Sequence, residues 1–201
     1  MRCFAIIMAA GFSERFGNGN KLLVPFRGKP LVCHTLDLIC AMPRFERVFV
    51  VYADEKVAAL ARPAMAAGRP VSLIYNPAPE KGQGESALLG VKAADRAAAA
   101  SGEEPVYYLF LPGDQPLLDA GTVSVLLDAA KPGCIVQPGP NSPTLFSASF
   151  RDELFALKPG EHPRLLKSRY PHAVITVEPP DPAVLADIDT QSDWERLEAI
   201  R

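Results

Sequence analysis

The sequence predicts an α/β fold in which a parallel sheet carries helices on both faces. Short apolar runs of strand character alternate with longer runs whose apolar residues recur at helical spacing. The strand runs are continuously apolar, as strands covered on both faces are. A chain of 201 residues that is 48% hydrophobic can bury one sizeable core.

The elements follow in order. Residues 3–9 are the first strand. Residues 30–41 read as a helix, with Pro30 at a tolerated first-turn position. Residues 47–53, built on Val-Phe-Val-Val-Tyr, are the second strand. Asp54 is the N-cap of an Ala-rich helix that runs to Ala67. Residues 71–76 are the third strand, 84–100 a long helix rich in Ala and Leu, 106–111 a β-branched and aromatic fourth strand, and 119–130 a further helix. The pattern then changes. Residues 132–143 are rich in Pro and Gly and hold one short strand, 134–137, followed by another at 144–148. Helical segments at 150–157 and 164–169, a late strand at 173–177 and a closing helix at 190–200 complete the chain. Thr190 is its N-cap, and Asp193 stands where a capping box usually has Glu. There is no internal repeat and no long linker, so residues 1–201 read as one domain.

Composition removes several classes of function. A net charge of −2 with no polybasic run gives no electrostatic footprint for nucleic acid or anionic membranes. Aromatic residues, at 8%, are too few for a base-stacking platform. The apolar start, 4–10, is too short for a membrane span and lacks the form of a signal peptide, which makes it a first strand of a cytoplasmic protein. Cys3, Cys33, Cys40 and Cys134 show no CxxC or zinc spacing and read as buried, reduced thiols. His34, His162 and His172 form no HxxxH or HExxH pattern, and no serine sits in GxSxG, so nucleophilic hydrolysis finds no support. His34 reads as an ordinary helix residue, satisfied or partly exposed.

Chemistry-bearing residues cluster where strands of such a sheet end, the side on which open α/β sheets bind ligands. After the first strand come Ala9, Ala10 and Gly11, then Ser13, Arg15, Gly17, Gly19 and Lys21. Small residues leave backbone N–H groups accessible and the two cations suit phosphates. The loop is neither a Walker A motif nor GxGxxG. Arg15 can grip a phosphate with two parallel hydrogen bonds, and Lys21 can neutralise charge developing between the α- and β-phosphates. After the third strand come Asn76, Gly82, Gly84 and Ser86, where paired glycines would let backbone approach a flat base. Asp114 follows Gly113 at the end of the fourth strand, and Asp187 and Asp189 precede the last helix. Mg²⁺ is commonly held by one or two carboxylates plus substrate phosphates, a need that Asp114 with Asp189 or Asp187 would meet.

Met8-Ala-Ala-Gly-Phe-Ser-Glu-Arg-Phe-Gly17, then Asn20-Lys-Leu-Leu23 and Gly28-Lys-Pro-Leu31, resemble the opening signature of nucleotidyltransferases related to molybdenum cofactor cytidylyltransferase and guanylyltransferase. Asn76-Pro77 with Gly84 and Ser86, Gly113-Asp-Gln-Pro116, Pro143-Thr-Leu-Phe146 and Asp187-Ile-Asp-Thr190 extend the resemblance, in order, over nearly the whole chain. It implies a Rossmann-like, GT-A-like three-layer α/β/α sandwich with a mixed, mostly parallel sheet, divided into a nucleotide-binding half (1–130) and an acceptor-binding, site-completing half (131–201). The implied reaction is Mg²⁺-dependent attack by a substrate phosphate on the α-phosphate of a nucleoside triphosphate, with release of pyrophosphate. Ala9, Ala10 and Gly11 would meet base and ribose; Ser13, Arg15 and Lys21 would hold the triphosphate. Asn76, Gly84 and Ser86 would lie near the base, and Asp114 with Asp189, or less readily Asp187, would bind the metal. Ala-Ala-Gly is more like the cytidylyl branch than the guanylyl branch, which favours CTP over GTP.

The implied acceptor is a phosphorylated pterin, molybdopterin, with a molybdoenzyme or its chaperone as protein partner. The departures from the pattern are the extra residue before Lys21, within Asn18-Gly19-Asn20; Asn141-Ser142 before Pro143; Gly160-Glu-His-Pro-Arg164 in place of a Gly-Asp-x-Gly-x-Arg element; and Gln191 after Thr190. The second and third of them, in the acceptor half, keep open transfer to a sugar or polyol phosphate. A protein that binds nucleotide or cofactor as a chaperone without turnover is the alternative of another class, and retention of both Lys21 and Asp114 argues against it.

Overall fold

The computed structural model describes residues 2–17, 19–102, 104, 106–139 and 143–199. Asn18, Asn141 and Ser142 of the motifs and the expected helix end at Ile200 lie outside them. Strand β1 (Cys3–Ala9) leads through single turns of 3-10 helix, Glu14–Phe16 and Lys21–Leu23, to a hairpin of β2 (Pro25–Phe26) and β3 (Lys29–Pro30). Helix α1 (Leu31–Ala41), β4 (Arg47–Tyr52), α2 (Glu55–Ala66), β5 (Val71–Tyr75), α3 (Gln83–Ala100), β6 (Tyr107–Pro112) and α4 (Ala120–Asp128) continue the alternation. Then come β7 (Ile135–Gln137), β8 (Thr144–Ser147), α5 (Arg151–Phe155), α6 (Leu165–Arg169), β9 (Val174–Thr176) and α7 (Gln191–Glu198).

Among the described residues seven strands form one sheet in the order β5-β4-β1-β6-β8-β7-β9. Every neighbouring pair is parallel except those made by β8, which runs against β6 and β7. The expected mixed, mostly parallel sheet is therefore observed, with one reversed strand. Side chains of β1 alternate between two cores. Ala5 and Ile7 pack with Leu36 of α1, Ala58 of α2 and Leu126 of α4; Phe4 and Ile6 pack with Val91 of α3 and Leu154 of α5. The helices thus cover both faces. From β1 the chain adds β4 and β5 on one side, then crosses to place β6 on the other. The loops after β1 and β6 diverge there, which opens a crevice at their carboxyl ends.

Gly90 shows how tightly α3 seats. A Cβ on it would come within 2.5 Å of Ile6 Cγ2, and Ile6 is fully buried. Gly90→Ala is expected to lower stability by up to about 2 kcal/mol, because an overpacking cost of about 1–3 kcal/mol is offset only in part by a helix-propensity gain of about 1 kcal/mol. Urea unfolding of the variant measures it.

Several boundaries differ from the expectation for identifiable reasons. Pro30 is not in the first helical turn; it pairs with Pro25 and serves as N-cap, so α1 starts at Leu31. The hairpin was not expected, because its turn is Arg27-Gly28, both at positive φ, rather than Asn-Gly. His34 of α1 closes on that hairpin, donating from Nε2 to Phe26 O at 2.8 Å. All four cysteines are free thiols, but only Cys3 and Cys134 are buried; Cys33 and Cys40 are half-buried. No helix among the described residues is long and apolar enough to cross a membrane.

Candidate nucleotide-binding site

The loop after β1 is closed on itself by two side chains. Ser13 sits in the left-handed region (φ 57°), unusual for a residue with a Cβ. Its Oγ accepts from the Lys21 N–H at 3.0 Å and donates to Asn20 Oδ1 at 3.4 Å. Asn20 Oδ1 also accepts from the Leu22 N–H at 3.0 Å, and Asn20 Nδ2 donates to Asp54 Oδ2 at 3.2 Å. Asn20, part of the extra length before Lys21, is thus the cap of the turn that aims Lys21. The sequence motifs include Asn20 but gave it no role of its own; an Asn directly before a 3-10 turn is the capping signal that could have found it.

Lys21 Nζ lies 2.6 Å from Asp114 Oδ2 and 2.8 Å from Asp189 Oδ1. Arg15 Nη2 reaches Asp189 Oδ2 at 2.9 Å, with its guanidinium largely in solvent. Burial disfavours the Lys21 charge, but the Asp114 and Asp189 carboxylates outweigh it and hold the Lys21 pKa above the usual lysine value. The ammonium is therefore fixed as a cation. Asp114 is presented by the turn after β6. Its carbonyl accepts from the Ile188 N–H at 3.0 Å, which binds the Asp187–Asp189 segment to that turn. Ile188 is fully buried in the core, so the aspartates on either side of it turn to the cleft. A capping box with Asp193 holds the following Thr190, and Asp193 Oδ2 also accepts from the Asp189 N–H at 3.3 Å. Gly113 packs close to Met8 O and Leu22, leaving little room for a side chain.

Asp187 is in a different state from its neighbours. Burial, followed by the nearby Asp114 charge, pushes its carboxyl up to about 6. Its Oδ1 is buried with no hydrogen-bond partner among the described residues. Among those residues no three His, Cys, Asp or Glu side chains are arranged to enclose an ion, so a metal here would complete its shell with ligand oxygens.

The second wall of the crevice is the start of α3. Asn76 is fully buried and lies behind that wall: its Nδ2 donates to Ser86 Oγ at 2.9 Å and its Oδ1 accepts from the Ala78 N–H at 2.9 Å. Ser86 lines the crevice. Gly84 has a protein neighbour of its own, since a Cβ there would overlap the carbonyl oxygen of Glu161. That closeness lets the 158–161 segment dock on α3, with the Gly160 N–H donating to Lys81 O at 2.7 Å. Gly11 is the opposite case: it faces the crevice, and a Cβ on it would meet nothing within 4 Å.

The crevice has a volume of about 740 Å³ and gathers Ala10, Gly11, Ser13, Arg15, Lys21, Ser86, Asp114, Asp187 and Asp189 from the sequence-derived set. Ala9, Asn76 and Gly84 do not line it. Thr144, His162 and Arg164 do, from the acceptor-half segments 143–146 and 160–164 that the sequence singled out without giving any one of the three a role of its own. His162 Nδ1 accepts from the Arg164 N–H at 2.9 Å, and burial together with the charges of Arg164 and Lys167 depresses its pKa to about 4. Its unfolded value is 6.5, so below that pH the unfolded chain takes the proton first. Stability is expected to be full above pH 6.5 and to fall as pH drops through 4, and His162→Gln should flatten that part of a pH-stability curve.

Comparison with known proteins agrees with this architecture. Residues 5–174 match the MobA-like NTP transferase domain. The chain is 27% identical over 204 residues to nicotine blue oxidoreductase of Paenarthrobacter nicotinovorans, covering 96% of the chain and 94% of that protein. A 51-residue stretch is 49% identical to 2-C-methyl-D-erythritol 4-phosphate cytidylyltransferase of Azoarcus sp. (strain BH72), 25% of the chain and 22% of that protein. A 52-residue stretch is 38% identical to a Thermococcus sibiricus protein described as "Probable molybdenum cofactor guanylyltransferase", 26% of each. These shorter matches span about a quarter of the relatives concerned. In fold, the chain superposes on a nucleotidyl transferase from Methanothermobacter thermautotroptrophicus with a TM-score of 0.78 at 20% identity, over 98% of this chain and 95% of that one. For 4-diphosphocytidyl-2C-methyl-D-erythritol synthase from Anaerococcus prevotii the TM-score is 0.74 at 14% identity, over 98% and 94%. With 170 consecutive residues matched and the same sheet beneath its crevice, the chain belongs to the family of MobA-like NTP transferase domains.

Proposed function

We propose that the chain transfers a nucleoside monophosphate from a nucleoside triphosphate to a phosphorylated small molecule, releasing pyrophosphate, with CTP preferred over GTP. The observation that carries this reading is Lys21, a fixed cation between Asp114 and Asp189 at the mouth of β1 and β6. Gly11 supports it: the fold does not require glycine there, so the small residue answers to what enters the crevice. An acceptor phosphate oxygen attacks the α-phosphorus, and the bond from that phosphorus to the oxygen bridging the β-phosphate breaks. No general base is needed, because a phosphate monoester with a second pKa of about 6 is already mostly dianionic at neutral pH. The protein's part is to position and to neutralise: Ser13 and the loop N–H groups orient the triphosphate, while Lys21 and Arg15 receive the charge that builds on the leaving pyrophosphate.

The residues present fit a divalent cation. Asp187 Oδ1 is an unpartnered buried oxygen beside Asp114, whereas both Asp189 oxygens are engaged by Lys21 and Arg15. Asp114 with Asp187 would therefore hold Mg²⁺, with Asp189 setting the two cations in place; the sequence reading had preferred Asp189. When bound, the ion supplies charge neutralisation on phosphate oxygens.

Molybdopterin is the first acceptor to test, with a molybdoenzyme or its chaperone as recipient and the cytoplasm as the location. A polyol phosphate is the second, favoured by the relative named as a methylerythritol phosphate cytidylyltransferase. The test is pyrophosphate release with each of the four NTPs, Mg²⁺ and a panel of pterin, sugar and polyol phosphates. Turnover with CTP and one acceptor class is the expected result. Nucleotide binding with no turnover on any acceptor would support the chaperone alternative. Oxidoreductase activity with no pyrophosphate release would replace the proposal with the activity named for the relative matched over nearly its whole length.

A further inference from the structure

A second cavity, about 480 Å³, lies beside the crevice and shares Arg164 with it. Gln137, Lys167, Ser168 and Val174 line it. Lys167 stands on the boundary between the two spaces. Its Nζ donates to Gln137 Oε1 at 2.8 Å, on the side of the second cavity, and to Thr144 Oγ1 at 3.3 Å, on the wall of the crevice. Thr144 is held by β8, the reversed strand, and Gln137 by β7, whose edge is paired with β9; Gln137 Nε2 donates to Thr176 Oγ1 at 3.3 Å. The nearest acid in sequence, Glu161, is taken up by Arg169 at 3.1 Å and by the Lys158 N–H at 2.9 Å. The crevice is therefore bipolar. One end gathers Asp114, Asp187 and Asp189 around Lys21, and the other carries Arg164 at the junction with the second cavity, which Lys167 lines.

We infer that Arg164 and Lys167, with Thr144 and Gln137 between them, form an anion seat joining the two cavities, and that it fixes the acceptor through a phosphate or carboxylate group. The inference rests on the nucleotidyl-transfer reading for the word acceptor, but the seat itself does not. Two observations carry it beyond a chance pair of cations. Lys167 donates to neutral oxygens on two strands, Gln137 Oε1 of β7 and Thr144 Oγ1 of β8, so its ammonium is positioned rather than solvated at random. Burial and the Arg164 charge depress its pKa to about 8, a strain that an incoming anion would relieve. Arg164 is exposed at the junction and can fold over a bound group, and its planar fork suits a phosphate or carboxylate. The seat draws on β7, β8 and the start of α6, all in the half of the chain that follows residue 130. It would thus be a determinant of acceptor specificity, acting on acceptor affinity and not on nucleotide affinity.

The test uses inorganic phosphate as the probe and backbone amide NMR shifts of the whole chain as the readout, with CTP and Mg²⁺ titrated separately. Phosphate is expected to shift amides of 137, 144 and 164–168 in a saturable manner. Lys167→Met and Arg164→Gln should each weaken that response by about tenfold or more, the scale of one lost charge-assisted contact, while CTP affinity stays within twofold of wild type. Arg164→Gln is the control for folding, because its side chain is exposed. In turnover with the best acceptor, the variants should raise the acceptor KM and leave the CTP KM unchanged. A phosphate response confined to residues 11–21, or an unchanged response in both variants, overturns the seat. Failure of CTP to bind, with the response at 164–168 intact, overturns the nucleotidyl reading and leaves the seat standing. A three-carbon pair separates the sources: tighter binding of glycerol 3-phosphate than of glycerate assigns the seat to a phosphate, and the reverse order assigns it to a carboxylate.

Discussion

Lys21→Ala is expected to lower turnover by about 10²–10³-fold, the loss seen when one preorganised charge-stabilising donor is removed from a reaction centre. The size follows from the way Lys21 is held. Its ammonium is at 2.6 Å from Asp114 and 2.8 Å from Asp189, and the turn that carries it is capped by Asn20. Little reorganisation is needed before it meets a phosphate, and preorganisation is what gives such a contact its weight. Lys21→Arg should recover little of the loss, because a planar guanidinium cannot occupy a point-charge position between two carboxylates. Steady-state pyrophosphate release, with melting temperatures to exclude unfolding, decides it. Near-wild-type kinetics in Lys21→Ala would remove Lys21 from the chemistry.

Asp114→Asn is the second large effect. A divalent ion on transferring phosphates is worth several kcal/mol of transition-state stabilisation, so loss of a main ligand should lower turnover by about 10²-fold or more and raise the Mg²⁺ needed for half-maximal rate. The fold should survive, since the Asp114 side chain is partly exposed and its structural bond to Ile188 is made by the backbone carbonyl. The two remaining aspartates should separate. Asp187→Asn is expected to shift the Mg²⁺ requirement, as Asp114→Asn does. Asp189→Asn should act through Lys21 and Arg15, raising the nucleotide KM with a smaller change in metal requirement. Equal Mg²⁺ requirements in Asp187→Asn and wild type would return the ligand role to Asp189.

Much of this architecture was legible because its signals are local and repeated. Continuous apolar strands, the Asp54 and Thr190 caps and the small residues after β1 each follow from backbone requirements that a sequence states directly. The Asp54 cap is observed, its side chain accepting from the Lys56 N–H, and Thr190 with Asp193 forms the full box despite the shorter acid. What the sequence hid depends on contacts far apart in the chain. Gly84 looked like room for a base, yet Glu161, 77 positions later, fills the space in front of it. Asn76 looked like a ligand contact and is instead the buried post behind Ser86. Asp187 and Asp189 were indistinguishable by spacing; only the surroundings that leave Asp187 Oδ1 unpartnered and engage both oxygens of Asp189 set them apart. Thr144 and Arg164 entered only as parts of motifs in the acceptor half, and Lys167 not at all, because the contacts that join β7, β8 and α6 there link residues far apart in the chain.

The most direct measurement of the central claim is calorimetric titration of CTP and of GTP, each with Mg²⁺, into the wild-type chain and into Gly11→Val. Gly11 has open space before it and no need of positive φ, so the variant should fold with an unchanged melting temperature while its side chain blocks the crevice. Saturable binding of CTP to the wild type, weaker binding of GTP, and loss of both in Gly11→Val would place the nucleotide against the loop after β1. Binding of neither nucleotide to the wild type, or equal binding to the variant, would contradict the account.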